Sequence, residues 1–335
     1  MKQIGVGVIG LGVGAQHAEV YARRSDCKLV ALCDLSPEKL AEVGPRFPTA
    51  VQKIDASQVL NDPSIEIVSI ATYDDCHHGQ VIAALESGKH VFVEKPLCLN
   101  RREFDDIQAA LTRHPELKLS SNLILRKSPR FIELKQLIGD GLFGDIYGVE
   151  GDYLYGRLHK IVSGWRGTID GYSVMHGGGI HLVDLLLWLL DDAVVEVSAM
   201  GNAIAARGSG FRYNDMVVSL LRFQSGAVGK VSANFGCVHP HFHALKIYGT
   251  KATYVNGAEA ALLYTSRDPQ AEPKRLTTAY PGTHKGDLID SFVDAVQGGP
   301  PPEVPTSDVL RAMAVSLAID EAVRRGVPVQ LGELE

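Results

Sequence analysis

The chain has 335 residues, of which 45% are hydrophobic and 21% charged, and its formal net charge is −6 at pH 7. The length favours two domains, and the composition is that of a globular protein with a sizeable core. The acidic balance and the scattered basic residues argue against nucleic-acid and anionic-membrane partners. The cysteines form no C-x-x-C pair, so we interpret them as reduced thiols and expect neither disulfides nor structural zinc. They are Cys27, Cys33, Cys76, Cys98 and Cys237.

The start of the chain and its most apolar stretch both argue against a membrane protein. The chain enters a strand-like run directly, without a basic region, an apolar signal core or a cleavage site. The most apolar helix-like stretch, 182–190, is far too short to span a bilayer and contains Asp184. The expected location is the cytoplasm.

The first motif is glycine-rich and follows the apolar run 4–9 directly. The segment 10–15 reads Gly-Leu-Gly-Val-Gly-Ala, which is G-x-G-x-x-A with an extra glycine. Gly10 permits a tight turn, Gly12 lets the backbone approach a pyrophosphate, and Ala15 is small enough for close packing of a helix on a strand. The pattern therefore predicts a dinucleotide site. Its candidate pyrophosphate contacts are Gly10, Gly12, Val13 and Gly14.

An acid follows the turn at the expected distance. The apolar run 29–33 predicts a second strand, and Asp34 ends it. A carboxylate there accepts hydrogen bonds from both ribose hydroxyls, whereas it repels a 2′-phosphate. Asp34 therefore predicts NAD as the cofactor in preference to NADP.

The first part of the chain alternates strand and helix, which predicts a doubly wound parallel sheet of Rossmann type over residues 1–123. Further strands are expected at 65–71, 90–93 and 117–122, with helices at 37–43, 75–87 and 101–113. Ligands of such sheets bind beyond the carboxyl ends of the strands. That rule selects Asp34, Thr72, the run Glu94-Lys95-Pro96, and Asn122.

The pattern changes to consecutive strands near residue 145. The run 146–155 alternates like a strand, and several strand-like runs with short turns follow it. Residues 124–335 are therefore predicted to form a C-terminal α+β domain with a large, open, mostly antiparallel sheet.

Lys95 is the first candidate for chemistry, because it ends a predicted strand on the cofactor edge. Pro96 restricts Lys95 to an extended backbone, which could direct the ammonium into the cleft between the domains. There the ammonium would stabilise the alkoxide that develops as hydride leaves. The alternative is a surface lysine paired with Glu94.

His181 is the second candidate, and three glycines precede it. Glycines allow a close approach of the backbone to a ligand, and His181 is expected in the first turn of an apolar helix. An imidazole there can take the proton from an alcohol. Asp184 lies three residues later on the same helical face and could orient His181 or a substrate hydroxyl. The alternative is a local cap with a satisfied polar pair.

The loop after residue 153 is rich in aromatic and basic side chains. Such groups suit a polyhydroxylated ligand, although an oligomer interface would use them too. The tract His239-Pro240-His241-Phe242-His243 alternates as a strand and lacks nearby acids, so no metal site is expected. Candidate substrate contacts of the loop are Tyr153, Tyr155 and Arg157, and candidate cofactor contacts are Trp165 and Arg166.

Several of these elements occur together in a known arrangement. They are the opening glycine fingerprint, Thr72 with His77, the run Gly88-Lys89-His90-Val91-Phe92-Val93-Glu94-Lys95-Pro96, Asn122 with Arg126, and Gly177-Gly178-Gly179-Ile180-His181. Together they resemble the Gfo/Idh/MocA oxidoreductase family over nearly the whole chain. The resemblance implies a Rossmann domain, a second domain with a large open sheet, and hydride transfer at a sugar, inositol or related carbinol, without a metal.

The resemblance also implies roles for individual residues. Lys95 and His181 take the catalytic roles, Thr72, His77 and Glu94 line the cofactor cleft, and Arg126 is a candidate substrate contact. Many family members carry an aspartate four residues before the histidine, but this chain has Gly177 there. Either Asp184 substitutes for that aspartate or proton transfer is arranged differently.

The leading hypothesis is an NAD-dependent dehydrogenase acting on a secondary hydroxyl of a sugar, a cyclic polyol or a nucleotide-linked sugar. One alternative is an NADPH-dependent ketoreductase of nucleotide-sugar biosynthesis, which Asp34 disfavours. Another is a non-catalytic NAD or sugar sensor, which the presence of both Lys95 and His181 disfavours. An exposed face on the second sheet would favour a homodimer or homotetramer.

Overall fold

The computed structural model describes residues 3–333, which divide into two compact units. The first unit comprises 3–124 and 284–310, and the second comprises 125–283 and 311–333. Residues 284–310 were predicted to belong to the second domain, but in the structure this segment packs on the parallel sheet. The rings of Phe292 and Phe92 lie 5.7 Å apart, and Ser120 donates a hydrogen bond to the carbonyl of Val304. Residues 1–2 and 334–335, which the expected domain ranges included, lie outside the described residues.

The first unit is built on a parallel sheet covered by helices. Its strands are β1 (Ile4–Ile9), β2 (Cys27–Cys33), β3 (Val51–Lys53), β4 (Ile67–Ile70), β5 (His90–Val93) and β6 (Leu119–Ser121). Its helices are α1 (Gly14–Arg23), α2 (Pro37–Val43), α3 (Ser57–Leu60), α4 (His77–Glu86) and α5 (Arg101–Arg113), with short 3-10 turns at Gly44–Arg46 and Asp74–Cys76. Within the described residues the strand order is β3-β2-β1-β4-β5-β6 with parallel pairing throughout. The predicted Rossmann sheet is confirmed.

Local sequence explains these elements. The residues of β1 and β4 are all buried, as expected for central strands covered on both faces. Helix α2 begins where the Ser36 side chain accepts a hydrogen bond from the amide of Lys39. Helix α5 begins with a reciprocal cap, in which Asn100 accepts from the amide of Glu103 and Glu103 accepts from the amide of Leu99.

The second unit consists mainly of strands. Its elements up to residue 283 are α6 (Pro129–Gly139), β7 (Ile146–Leu154), α7 (His159–Val162), α8 (Ile180–Leu190), β8 (Val194–Asn202), β9 (Met216–Phe223), β10 (Val228–Asn234), β11 (Phe242–Gly249), β12 (Thr253–Val255), β13 (Ala261–Tyr264) and β14 (Lys274–Leu276). Short 3-10 turns lie at Ile124–Lys127 and Trp165–Thr168, and a π-helical turn at Met175–Gly179 leads into α8. The chain closes with α9 (Ile289–Val296), α10 (Thr306–Arg325), β15 (Val329–Gln330) and a 3-10 turn at Leu331–Glu333. Among the helices of residues 3–333, none combines the length and the apolarity needed to cross a bilayer.

The second sheet has nine described strands in the order β14-β13-β12-β11-β7-β10-β9-β8-β15. Between these described strands, only β7 and β10 pair in parallel, so the prediction of a large, mostly antiparallel sheet is confirmed. Helix α8 lies against one face of the sheet: a Cβ placed on Gly151 of β7 would lie 3.4 Å from Leu182. Most of α8 is buried because it is apolar on nearly all sides.

Candidate active site

The glycine-rich turn of the first unit has the geometry that a pyrophosphate requires. Gly10 has φ +87°, and a Cβ there would lie 2.4 Å from the carbonyl oxygen of Ala71, so no other residue fits. A Cβ on Gly12, by contrast, would meet no atom of the described chain within 4 Å. The backbone of Gly12 therefore faces open space at the start of α1. No side chain caps the first turn of α1, which leaves its amides to receive an anion.

The close packing of α1 on the sheet depends on Gly14 more than on the predicted Ala15. A Cβ at Gly14 would lie 3.0 Å from Val8 and 3.2 Å from Ala71. Ala15 is buried as well, but it already carries a methyl group. The extra glycine in the motif therefore has a packing role.

Asp34 lies beside this turn, as predicted. Its Oδ2 accepts a hydrogen bond of 2.7 Å from the amide of Leu11, and its Oδ1 accepts one of 2.9 Å from the amide of Ser36. These bonds fix the carboxylate at the carboxyl end of β2, and each oxygen retains a further lone pair. A ribose diol can donate to those lone pairs, whereas a 2′-phosphate would meet a negative charge. The residues present therefore fit NAD.

His77 is held by two backbone carbonyls of the first unit. It is fully buried, with Nδ1 2.6 Å from the carbonyl oxygen of Pro96 and Nε2 3.3 Å from that of Thr72. Its ring thus connects the segments that follow β4 and β5. Thr72 itself is half-buried, and its hydroxyl donates to Gln80 at 2.8 Å. These contacts hold the two loops together, and the role of His77 in lining the cofactor cleft stays a prediction.

Lys95 is half-buried at the carboxyl edge of the parallel sheet, and its peptide bond to Pro96 is cis. The neighbouring Glu94 is buried and accepts a hydrogen bond of 2.6 Å from the Asn122 amide, which also donates to the carbonyl of Lys285 at 2.9 Å. His17 of α1 lies 3.5 Å from the same Glu94 oxygen. Glu94 and Asn122 therefore form a fixed polar cluster next to Lys95.

The charge of Glu94 is maintained by this cluster. Burial alone would raise the pKa of Glu94, but the nearby His17 imidazole, the charge of Lys285 and the hydrogen bond from Asn122 outweigh burial and lower the pKa well below its ordinary value. Sequence reasoning missed His17. The available signal was a histidine on the buried face of α1, between Ala15 and Tyr21.

In the second unit, His181 lies in the first turn of α8, as predicted, and is 6% exposed. The Tyr153 ring lies nearly parallel to its imidazole, with ring centroids 6.3 Å apart, and the His243 ring meets it edge-on at 6.4 Å. Tyr155 stacks on Tyr153 at 5.5 Å, and His241 packs edge-on against both tyrosines. Burial raises the pKa of Tyr153, so its phenol stays protonated. His181 therefore lies against a wall of aromatic and imidazole rings.

The three glycines before His181 accommodate side chains of the protein itself. A Cβ on Gly178 would lie 2.3 Å from the Tyr153 ring, and a Cβ on Gly179 would lie 2.6 Å from Met175. The sequence predicts that these glycines allow a close approach of the backbone to a ligand. In the structure Gly178 lets Tyr153 approach the π-helical turn closely, and Gly179 leaves room for Met175.

His243 is a site residue that sequence reasoning missed, because the pairing of β11 with β7 joins strands far apart in the chain. The register places His243 opposite Tyr153. The Tyr280 hydroxyl oxygen accepts from the amide of His243 at 2.9 Å and lies 2.7 Å from its Nδ1. Burial raises the pKa of Tyr280 to about 12, so its phenol stays protonated. The two contacts with the Tyr280 hydroxyl fix the orientation of the His243 ring.

Asp184 and Arg126, two predicted site residues, are paired with each other. The Arg126 Nε lies 3.0 Å from Oδ2 of Asp184, and its terminal nitrogen lies 2.5 Å from Oδ1. The side chains are 3% and 1% exposed. A carboxylate held in this bidentate way anchors α8 and is poorly suited to take the place of the acid missing at Gly177.

The loop residues and the histidine tract complete the predicted set. The Arg166 guanidinium lies 4.3 Å from the Trp165 ring centroid, and both residues are half-buried. Arg157 is exposed and lies over Tyr155 at 5.2 Å. Residues 3–333 contain no group of three or more His, Cys, Asp or Glu spaced to hold a metal ion.

The first unit is a Rossmann domain with an acid at the position that selects NAD, and the second unit of the same chain has a large sheet and a buried histidine. These features define the class of dinucleotide-dependent oxidoreductases. Residues 4–122 match the family model described as oxidoreductase family, NAD-binding Rossmann fold, and residues 131–255 match the GFO/IDH/MocA C-terminal domain. The chain therefore belongs to the Gfo/Idh/MocA oxidoreductase family, and its first unit is an NAD-binding domain.

Similar proteins cover nearly the whole chain. Myo-inositol 2-dehydrogenase of Thermotoga maritima is 25% identical over 98% of this chain and 99% of its own length. The scyllo-inositol 2-dehydrogenase (NAD(+)) of Bacillus subtilis is 26% identical over 98% of this chain and 96% of its own length. The crystal structure of the WlbA dehydrogenase from Bordetella pertussis, in complex with NADH and UDP-GlcNAcA, has a TM-score of 0.82 at 23% identity, covering 98% of this chain and 99% of that chain.

Proposed function

We propose that the protein is an NAD-dependent dehydrogenase that oxidises a secondary hydroxyl of a sugar, an inositol or another cyclic polyol. The observation that carries the proposal is the position of His181 against the rings of Tyr153 and His243. Aromatic faces cover the C–H surface of a sugar ring, while imidazole nitrogens bind its hydroxyls. The inositol dehydrogenases among the similar proteins support the same substrate class.

Lys95 and His181 have complementary roles in this proposal. The nicotinamide of bound NAD supplies the hydride acceptor. His181 takes the proton of the reacting hydroxyl, and the ammonium of Lys95 stabilises the negative charge that develops on its oxygen. Glu94 and Asn122 position Lys95 through the polar cluster beside it.

The remaining predicted residues divide between binding and support. Tyr153, Tyr155 and Arg157 are proposed to contact the substrate, because two stacked rings and one exposed cation suit a polyol. Trp165 and Arg166 are proposed to contact NAD. Asp184 is not proposed as a proton acceptor, since Arg126 already holds its carboxylate. Neither the NADPH-dependent ketoreductase nor the sensor is favoured.

Alanine variants of Lys95 and His181 test this function. We expect each to lower kcat/KM for NAD reduction by at least about 100-fold on whichever inositol or sugar the wild type oxidises. Lys28→Ala and His239→Ala are matched controls, because both side chains are exposed and outside the proposed site. Near wild-type turnover in either test variant would refute its role, and the absence of any alcohol oxidation by the wild type would refute the proposed function.

We also propose that the protein is a cytoplasmic homodimer or homotetramer. Met200, Leu220 and Val228 lie on one face of the nine-stranded sheet and are 83%, 55% and 51% exposed. An apolar face of this kind is suited to a second copy of the chain. The free cysteines are consistent with a reducing compartment. Light scattering on wild type and Leu220→Asp tests the assembly, and a wild type that is monomeric at micromolar concentration would refute it.

A further inference from the structure

Position 177 lies one helical turn before His181, and the space for a side chain there is already filled. The amide of Gly177 donates to the carbonyl of Ser173, so the residue is part of the helical turn that leads into α8. A Cβ placed on Gly177 would lie 2.0 Å from the hydroxyl oxygen of Tyr172 and 2.8 Å from its Cζ. The phenol of Tyr172 therefore occupies the place where any larger residue at 177 would begin its side chain.

The Tyr172 ring is held in that place by aromatic neighbours. Phe211 and Phe235 pack edge-on against it, with ring centroids 6.3 and 6.4 Å away. Phe235 also contacts Tyr153 and Tyr155, at 6.0 and 4.6 Å. Tyr172 is only 3% exposed and belongs to the same ring cluster as the tyrosines beside His181.

The helical geometry gives this hydroxyl a functional position. Position 177 lies in the π-helical turn, where residues four and five apart are neighbours on the helix surface, and this turn continues directly into α8. A polar group that takes the place of a side chain at 177 is therefore a neighbour of the imidazole at 181. Asp184, the other polar candidate on this helix, is committed to Arg126.

We propose that the Tyr172 hydroxyl supplies the hydrogen-bonding group that accompanies His181, in place of a side chain at position 177. The proposal rests on the proposed dehydrogenase function. Tyr172 donates a hydrogen bond to the reacting oxygen and keeps its own proton, while the proton of the substrate hydroxyl goes to His181. A neutral phenol provides this bond without the charge of a carboxylate, so it does not favour the imidazolium form as an acid would.

Tyr172→Phe removes only the oxygen. We expect kcat to fall about 10- to 100-fold with KM for the alcohol changed less than about threefold, because the lost bond strengthens in the transition state. The melting temperature should stay within about 3 °C of the wild type. Tyr147→Phe is the matched control, since Tyr147 is 58% exposed and distant in sequence from this cluster. Wild-type kcat in Tyr172→Phe would overturn the proposal.

A second pair of variants tests whether the Tyr172 phenol occupies the space of a side chain at position 177. Gly177→Asp should lower the melting temperature strongly, because its Cβ meets the phenol, and Tyr172→Ala in the same chain should restore much of the loss. Gly139→Asp is the control, since a Cβ on Gly139 meets no described atom within 4 Å. Equal destabilisation of Gly177→Asp in both backgrounds would overturn the placement of Tyr172.

The pH profile separates a role in the chemistry from a role in packing alone. In the double variant a carboxylate stands near the imidazole, so the acid limb of kcat/KM should move upward by about one pH unit relative to the wild type. An unchanged limb in an active double variant would overturn the proposal. If the wild type oxidises no alcohol, both the proposed function and the catalytic role of Tyr172 fail. The melting temperatures of the variants still decide whether Tyr172 occupies the space of a side chain at position 177.

Discussion

Removal of the Asp184 carboxylate distinguishes a structural role for this residue from a catalytic one. In Asp184→Ala the guanidinium of Arg126 keeps its 3% exposure but loses two charge-assisted hydrogen bonds. Leaving one charge of a buried pair without its partner costs about 3–5 kcal/mol. For a unit of this size each kcal/mol lowers the melting temperature by about 2–4 °C, so we expect a decrease of about 6–20 °C.

Intrinsic fluorescence is the assay of choice, because both tryptophans of the chain, Trp165 and Trp188, belong to the second unit. Trp188 also lies next to the pair, with the Arg126 guanidinium 6.0 Å from its ring centroid. Urea unfolding followed at this signal therefore reports the unit in which the pair lies. The midpoint should fall in Asp184→Ala, whereas the slope with urea should stay unchanged.

Two further variants complete the experiment. Arg126→Met with Asp184→Leu removes both charges and should recover most of the stability, because apolar residues of similar volume replace a buried ion pair at little cost. Glu321→Ala breaks an exposed pair with Arg324 and should change stability by no more than about 1 kcal/mol. An Asp184→Ala protein that unfolds like the wild type but has lost turnover would refute the structural role and assign Asp184 to proton transfer.

Three other predictions follow from single contacts. Asp34→Ala should reduce the discrimination between NADH and NADPH by at least about 10-fold in fluorescence titrations, since the repulsion of the 2′-phosphate is removed; unchanged discrimination would contradict the assignment. The pKa of Glu94 is lowered in the folded state, so the stability that its charge contributes is complete above the ordinary pKa of 4.5 and is lost as pH falls below that value. The melting temperature of the wild type should therefore exceed that of Glu94→Gln by a constant amount from pH 6 to 8, and the difference should shrink towards pH 3. An advantage that grew with falling pH would contradict this. Tyr280→Phe removes the hydroxyl that contacts Nδ1 of His243 and should raise KM for the alcohol severalfold with NADH affinity unchanged. An unchanged KM would remove His243 from the site.

The Rossmann unit could be predicted closely because its signals are local. Continuous apolar runs, a glycine turn and caps such as Asn100 each lie within a few residues of the element they define. The edge strand β3 was not predicted, because its three residues are largely exposed and carry no apolar run. The return of 284–310 to this unit was missed as well, since its contacts, such as Ser120 with Val304, join residues far apart in the chain.

Residues of the candidate site could be predicted where a single sequence motif contains the residue and indicates its role. Asp34 and His181 lie where their motifs placed them, at the end of β2 and in the first turn of α8. The contact of His243 with Tyr280 could not be predicted, since it joins residues 37 apart in the chain. The pairing of Arg126 with Asp184 joins residues 58 apart, so each looked available when considered alone.

Gly177 shows why a missing motif residue is weak evidence for a missing function. The sequence shows only that an acid is absent at this position, and the nearest acid on the same helix, Asp184, is the natural substitute on helical spacing. The structure adds a second candidate, because helical spacing gives direction but not occupancy: Arg126 binds the Asp184 carboxylate, while the phenol of Tyr172 lies where a side chain at 177 would start. Tyr172 lies five residues before Gly177, outside any regular helical relation to it, so only the three-dimensional path of the chain brings the two together. The glycine at 177 and the tyrosine at 172 therefore depend on each other. Changing either residue alone should impair the site around His181, whereas changing both together can preserve it.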